Sequence, residues 1–254
     1  MNRGVDAGML RLARMGRVSA ISCLAQGPSF RIDAPGLADA NVDVGLHLNL
    51  TEAFLPASPE RVMPLPLLIA QAYAGSLDHR WLDAHIARQL DSFEHVFGRP
   101  PDYADGHQHV HQLPHVLPAL LRALRARYGM RQPWIRYTAP GMQEGVPWGA
   151  SAKARLIGVL GSGAVLRAAG QGPWRTNRRL LGVYGLHGGQ RQYAALLQAW
   201  LCNARDGDLV LCHPALPGPG SAAQRAAEFE VLACPELEEW MGLNGVAIVR
   251  PFWQ

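Results

Sequence analysis

The segment "DYADGHQHVHQLPH", Asp102 to His115, holds four of the chain's ten histidines within nine residues, directly after an acidic segment of strand character. Imidazoles serve as metal ligands, as proton carriers near neutral pH, or as both. If the backbone ran extended from Gly106 to His111, His107, His109 and His111 would share one face, with the outer two about 13 Å apart at ~3.3 Å per residue. One ion cannot bind three imidazoles spaced in that way. Adjacent pairs could chelate, or a turn could bring His107 and His111 together as on a helix. The economical assignment makes one or two of these histidines ligands, with the others binding substrate or orienting the ligands from behind. Asp105, two residues before His107, is placed to orient an imidazole.

Two further histidines join them once the elements are read. In "VDVGLHLNL", Val42 to Leu50, apolar residues alternate with Asp43, Gly45, His47 and Asn49, so His47 points to the face opposite the leucines of a strand. His213 ends the strand-like "DLVLC" and is followed by Pro214. Helices are expected at "VDAGMLRLARMG", closed by Gly16, and at "WLDAHIARQLDSFEHVFG", stopped by Gly98 and the Pro100-Pro101 pair. "PHVLPALLRALRARYG" and "QYAALLQAWLCNA" read as helices too, and "VSAISCLA", "PDYADGH", "PWIRYT" and a closing "GVAIVRPF" as strands. The Gly-, Arg- and Trp-rich stretch 140–189 reads as an insertion over one face, with a helix at "AKARLIGVL". Alternating strands and helices predict an α/β chain with a parallel sheet, open or closed into a barrel. Ligands bind at the C-terminal ends of such strands, so His47, His107 and His213 should reach one rim.

Composition narrows the function classes. A chain of 254 residues buries a full core as one domain, and 48% hydrophobic with 17% charged residues describes a globular protein. The net charge of +4 is spread without a basic run or a nucleic-acid motif, so no nucleic-acid partner is expected. No stretch approaches the roughly eighteen uncharged apolar residues of a membrane span. Arg11, Arg14 and Arg17 precede "VSAISCLA", but that run is short, holds two serines and lacks an A-x-A cleavage pattern. Four dispersed cysteines with no C-x-x-C spacing suit reduced thiols, and a cytoplasmic location is expected. His79, His85, His95 and His187 read as surface or helix-face residues, and His115 opens a helix after Pro114. Trp148, Trp174 and Tyr184 could stack on a sugar ring or pack in the core.

Three motifs in this order, "VGLHLNLTE" (Val44 to Glu52), "DYADGHQHVHQLP" (Asp102 to Pro114) and "LCHPAL" (Leu211 to Leu216), resemble those of the YdjC-like carbohydrate deacetylases. That group includes chitooligosaccharide and hopanoid-associated deacetylases, and the likeness runs from Asn2 to about Leu216. The resemblance implies a distorted (β/α) barrel of mostly parallel strands and one divalent metal ion, Mg²⁺ or Zn²⁺. It also implies removal of an N-acetyl group from an amino sugar, with a small carbohydrate as the substrate; a homodimer is a compatible assembly. The family's G-x-H-x-x-L-T histidine matches His47 and the first of its triple histidines matches His107, both as metal ligands. Its C-H-P histidine matches His213 as the general acid. Asp105, His109, His111 and Arg136 remain as substrate-binding or ligand-orienting groups. The chemistry agrees: a metal polarises the amide carbonyl, a base assists attack by water, and an acid protonates the departing amine.

The family's first strand ends in an Asp-Asp-Phe-Gly stretch that supplies a third metal ligand and a base, and this sequence opens beyond the matching point. Asp6 lies inside the expected first helix and cannot simply replace them. The expectation is therefore a barrel missing its first strand, with an upstream reading frame that encodes that strand and its Asp-Asp pair. The function is a metal-dependent deacetylase, inactive in this short form, or else a non-catalytic carbohydrate-binding remnant of the same fold. Retention of His47, the triple histidine and His213 together favours the enzyme. An amidohydrolase with an H-x-H metal pair fits less well, because it would place that pair in an early strand and add a distant Asp and Lys.

Overall fold

The computed structural model describes residues 3–54, 62–218 and 221–251. In chain order the main elements are α1 (Arg3–Arg14), β1 (Ala20–Cys23), α2 (Phe30–Asp33), β2 (Asp43–Leu48), α3 (Leu65–Ala74) and α4 (His79–Phe97). They continue as β3 (Tyr103–Gly106), α5 (Val116–Tyr128), β4 (Trp134–Ile135), α6 (Trp148–Val159) and α7 (Ser162–Gln171). The last are β5 (Leu180–Leu181), α8 (Gly189–Asn203), β6 (Leu209–Val210), α9 (Ala223–Ala233) and α10 (Glu236–Leu243).

The strands β1 to β4 lie side by side in chain order, all parallel. Parallel bridges from Ile135 to Thr176 and from Pro140 to Leu180 lead on to β5, which pairs with β6. This is an α/β fold of parallel strands, and its strand order is compatible with a barrel. The edge strands β1 and β6 both line one cavity of about 880 Å³, to which they contribute Ala20, Ile21, Ser22, Leu209 and Val210. The 140–189 stretch supplies α6, α7 and β5, so part of it belongs to the sheet.

Local chemistry explains the helices. The Asp78 carboxylate accepts from the backbone N–H groups of Arg80 (2.9 Å) and Trp81 (3.2 Å), capping α4, and Gly98 ends it at φ 64°, where glycine has no Cβ to clash. Leu82, Ile86, Leu90 and Phe93 recur at helical spacing on the buried face of α4, and Leu117, Leu120 and Leu124 of α5 join the same core. His85, read as a surface or helix-face residue, lies on the buried face of this helix, its ring 4.6 Å from that of Trp81. At the other side, α1 packs on the chain just after His213. The Leu216 N–H donates to the Gly4 carbonyl (2.9 Å), and a Cβ on Gly8 would stand 2.8 Å from the Leu216 nitrogen.

The structure shortens several expected strands, "DLVLC" to Leu209–Val210 among them, and removes another. "VSAISCLA" pairs only over Ala20–Cys23, and "PWIRYT" only over Trp134–Ile135. The closing "GVAIVRPF" forms no strand over 246–250, and its Phe252 lies outside the described residues. A β-branched run becomes a strand only when a ladder partner and a buried face receive it. Among the described residues no strand pairs with this run, and Val249 is 66% exposed. Arg250 instead holds the Asp43 carboxylate at the start of β2 (2.9 Å).

Register places the chemistry. His47 of β2 stands opposite Asp105 of β3, and Ala104 opposite Ile135 of β4, which brings Arg136 level with Asp105. Below this level Tyr103 stacks on Trp134 with ring centroids 4.2 Å apart, and Trp134 Nε1–H donates to Asp43 Oδ2 (2.9 Å). Gly45 lies against the Tyr103 ring, and a Cβ there would sit 2.5 Å from it. Gly45→Ala is therefore expected to destabilise the fold by about 1–3 kcal/mol, the usual cost of overpacking. A lower urea midpoint with an unchanged slope checks this.

Candidate active site

Asp105 is 1% exposed, and both of its oxygens are used. Oδ1 accepts from His47 Nδ1 (2.7 Å), and Oδ2 accepts from Arg136 Nη1 (2.5 Å) and from Ser22 Oγ (2.8 Å). Burial alone would raise the Asp105 pKa, but the Arg136 guanidinium and His47 outweigh it and hold the carboxyl well below the ordinary range. Arg136 is itself buried, and its second amino group donates to the Gly106 carbonyl (2.8 Å) and approaches His109 Nδ1 (3.3 Å). An ionised Asp105 accepting from Nδ1–H fixes the tautomer of His47 and leaves Nε2 as its donor nitrogen.

After β3 the chain makes a tight turn, His107–Gln112, with Gln108 and His109 both in the left-handed region (φ 51° and 61°). Residues other than Gly, Asn and Asp seldom adopt that conformation, and each such residue costs of order 1–3 kcal/mol. The turn sends the three histidines of the cluster to different places. His107 meets the Glu52 carboxylate (2.9 Å) and lies edge-on to His47 with ring centroids 5.6 Å apart. His109 lies beside Arg136. His111 turns into the interior, where Nε2 donates to the Arg136 carbonyl (2.9 Å), and it does not line the cavity.

His213 reaches the same cavity from the segment after β6. Its backbone N–H donates to Glu228 Oε2 (2.5 Å), and the other oxygen of that buried carboxylate accepts from Tyr184 Oη (2.5 Å). Burial, then Arg225 and the other histidines, push the His213 pKa down to about 3, so the ring is neutral near neutral pH. Burial and His47 likewise lower His107 to about 4, against the opposing pull of Glu52. His47, His107, His109 and His213 thus converge on one cavity from three strand ends, with Asp105 and Arg136 behind them. Asp6 stays apart, buried in α1 and bonded to Ser29. Of the aromatic candidates, Tyr184 lines the cavity, Trp174 is packed in the core, and Trp148 is exposed away from it.

The chemistry of the donors fits a divalent cation: two imidazoles face each other, one of them backed by a carboxylate. Among the described residues, however, no three His, Cys, Asp or Glu side chains form a group ready to hold one. Sequence reasoning missed Glu52, Glu228 and Ser22. Glu52 had a signal, because it lies five residues after His47 in the same motif. Glu228 had none, being a lone carboxylate on a helix far along the chain.

A family profile described as YdjC-like protein matches residues 1–242. A carbohydrate deacetylase from Homo sapiens is 26% identical over 289 aligned residues, covering 96% of this chain and 84% of that protein. A chitooligosaccharide deacetylase from Yersinia enterocolitica is 26% identical and covers 93% of this chain and 88% of its own length. A crystal structure from Enterococcus faecalis, of a protein assigned provisionally to cellobiose-phosphate cleavage, superposes with a TM-score of 0.63 over 98% of this chain and 92% of that one. At 20% identity that likeness speaks for the fold alone.

The buried histidines make the fold sensitive to acid. Burial, with Arg136 nearby, lowers the His111 pKa to about 3 from 6.5 in the unfolded chain. Between those values the unfolded state binds more protons, so stability falls as pH drops through the window. His111→Gln keeps an N–H donor for the Arg136 carbonyl but cannot titrate. Its urea midpoint is expected to fall less than the parent's between about pH 7 and about pH 4.

Proposed function

Because the chain belongs to the YdjC-like family, we propose that it is a carbohydrate deacetylase, a hydrolase that removes an N-acetyl group from an amino sugar. The observation that carries this reading is the convergence of His47, His107 and His213 on one cavity. The deacetylase names of its nearly full-length relatives agree with it. The cavity, about 880 Å³, is within the range of small-ligand sites and admits a sugar.

In this reading His47 and His107 are the residues that would hold one divalent cation, Mg²⁺ or Zn²⁺. Such a cation supplies Lewis-acid polarisation of the amide carbonyl and strengthens water as a nucleophile when bound. Asp105 keeps His47 in the tautomer that presents Nε2, and Arg136 keeps Asp105 ionised. His213, neutral at rest, can take the proton that attack by water releases. It then returns that proton to the amine nitrogen as the C–N bond breaks, so the general acid is loaded by the reaction itself. The proposed setting is the cytoplasm, where the four free cysteines remain reduced. No described helix is long and apolar enough to cross a membrane.

One observation favours the second reading, a carbohydrate-binding remnant: the described residues hold no ready group of three metal donors. Acetate release from N-acetylated amino sugars, measured with added Mg²⁺ or Zn²⁺, separates the two. The enzyme is expected to release acetate, and His213→Ala to lower kcat by about 10² to 10⁴ while metal affinity stays near the parent value. Sugar binding without acetate release supports the remnant. Unchanged kcat in His213→Ala removes that residue from the chemistry.

A further inference from the structure

We propose that His109 is a catalytic hydrogen-bond donor, its Nε2–H meeting the oxygen of the substrate's acetyl group. This rests on the deacetylase reading and deepens it, giving the middle histidine of the cluster a role other than holding an ion. Arg136 Nη2 stands 3.3 Å from His109 Nδ1, and a guanidinium can only donate. Nδ1 must therefore accept, and the ring proton sits on Nε2. The same ion pair sets the opposite tautomer in His47, where the Asp105 carboxylate accepts from Nδ1–H and leaves a lone pair on Nε2. One imidazole thus offers the cavity a lone pair, and the other offers it a proton.

Position agrees with this. His109 lines the cavity together with His47, His107 and His213, and with Nδ1 engaged from behind, Nε2–H is the polar group its ring has left for a ligand. The other donors around Asp105 are committed. Ser22 Oγ donates to Asp105 (2.8 Å), so Tyr103 Oη–H donates in turn to Ser22 Oγ (2.8 Å). Arg136 gives Nη1 to Asp105 and Nη2 to the Gly106 carbonyl and to His109.

The turn that carries His109 is fixed at both ends. Arg136 binds the Gly106 carbonyl at its head, while His111 Nε2 donates to the Arg136 carbonyl (2.9 Å) and Gln112 Nε2 to the Ile157 carbonyl (2.7 Å) at its foot. A Cβ on Gly106 would stand 2.7 Å from the His111 nitrogen, so the chain closes tightly there. Left-handed residues such as His109, held by surroundings of this kind, cluster at active sites. The Arg136 charge on Nδ1 also polarises the ring and strengthens Nε2–H as a donor. A donor fixed before the reaction is worth most where negative charge develops. In amide hydrolysis that place is the acetyl oxygen, which becomes an oxyanion when water adds. As the C–N bond breaks, the carbonyl re-forms, and His109 has kept its proton throughout.

Nuclear magnetic resonance and turnover together test the contact. In the full chain labelled with ¹⁵N-histidine, long-range ¹H–¹⁵N spectra near neutral pH are expected to show His109 as the Nε2–H tautomer, its ring identified by loss of the signal in His109→Asn. That Nε2–H signal is expected to shift with saturating N-acetylglucosamine and not with glucosamine. An Nδ1–H tautomer, no shift, or an equal shift with both sugars overturns the assignment. For turnover, His109→Asn suits the left-handed position and keeps an acceptor for Arg136, but its amide is too short to replace Nε2–H. It is expected to lower kcat by about 10² to 10³, the cost of losing one oxyanion donor, with KM, metal affinity and melting temperature near the parent values. His109→Gln, which restores an N–H of longer reach, is expected to recover part of that loss. Unchanged kcat in His109→Asn, a rise in KM alone, or loss of metal binding overturns the inference, while acetate release by the parent leaves the deacetylase reading standing. If the parent releases no acetate yet shows the acetyl-dependent shift, that reading falls and the donor contact stands.

Discussion

The buried ion pair between Asp105 and Arg136 is the interaction on which the site depends. Removing two charges from water costs several kcal/mol per ion, and attraction in a low-dielectric interior repays that only when the remaining donors and acceptors are satisfied. Here the carboxylate also receives Ser22 and His47, and the guanidinium also binds the Gly106 carbonyl. Arg136 in turn holds both ends of the turn after β3. Its side chain binds Gly106, and its carbonyl receives His111. The pair therefore orients His47 and anchors the left-handed turn that separates His107 from His111. Leaving either charge without its partner would cost about 3–5 kcal/mol and would free His47 at the same time.

That pair exists because of register. Parallel pairing puts His47 beside Asp105 and brings Arg136 level with them, so β2, β3 and the residue that follows β4 each supply one member of a hydrogen-bonded row. A slip of one residue would turn each of these side chains to the opposite face. The apolar residues on the other face of β2, Val44, Leu46 and Leu48, are fully buried and oppose such a slip. Packing on one side of the sheet thereby fixes chemistry on the other. From the far edge, α1 holds the chain after His213 and Glu228 holds the His213 backbone, which brings the remaining imidazole to the same cavity.

Much of this was legible in the sequence, for physical reasons. The helix α4 shows its period and its Gly98 stop, and β2 shows its alternation. His47, His107 and His213 were readable as strand-end residues of a parallel sheet. The strands β4, β5 and β6 are two residues long, too short for any period to mark their ends. The left-handed Gln108 and His109 were invisible because neither residue type signals that conformation, so the inward turn of His111 could not be foreseen. The run "GVAIVR" reads as a strand from its composition alone, yet whether it becomes one depends on a neighbouring edge that local sequence does not encode. Glu52 escaped notice because a single carboxylate in a loop acquires meaning only through the histidine it meets.

The central claim, that Asp105 and Arg136 hold His47 ready to share one cation with His107, is tested most directly by crystallography. A crystal soaked in Zn²⁺ and measured across the zinc absorption edge should show one anomalous peak between the two rings, with Nε2 to metal distances of about 2.0–2.1 Å. Asp105 should still accept from His47 Nδ1 in that structure. A peak confined to other residues, or no density between His47 and His107 at a saturating concentration, would contradict the claim.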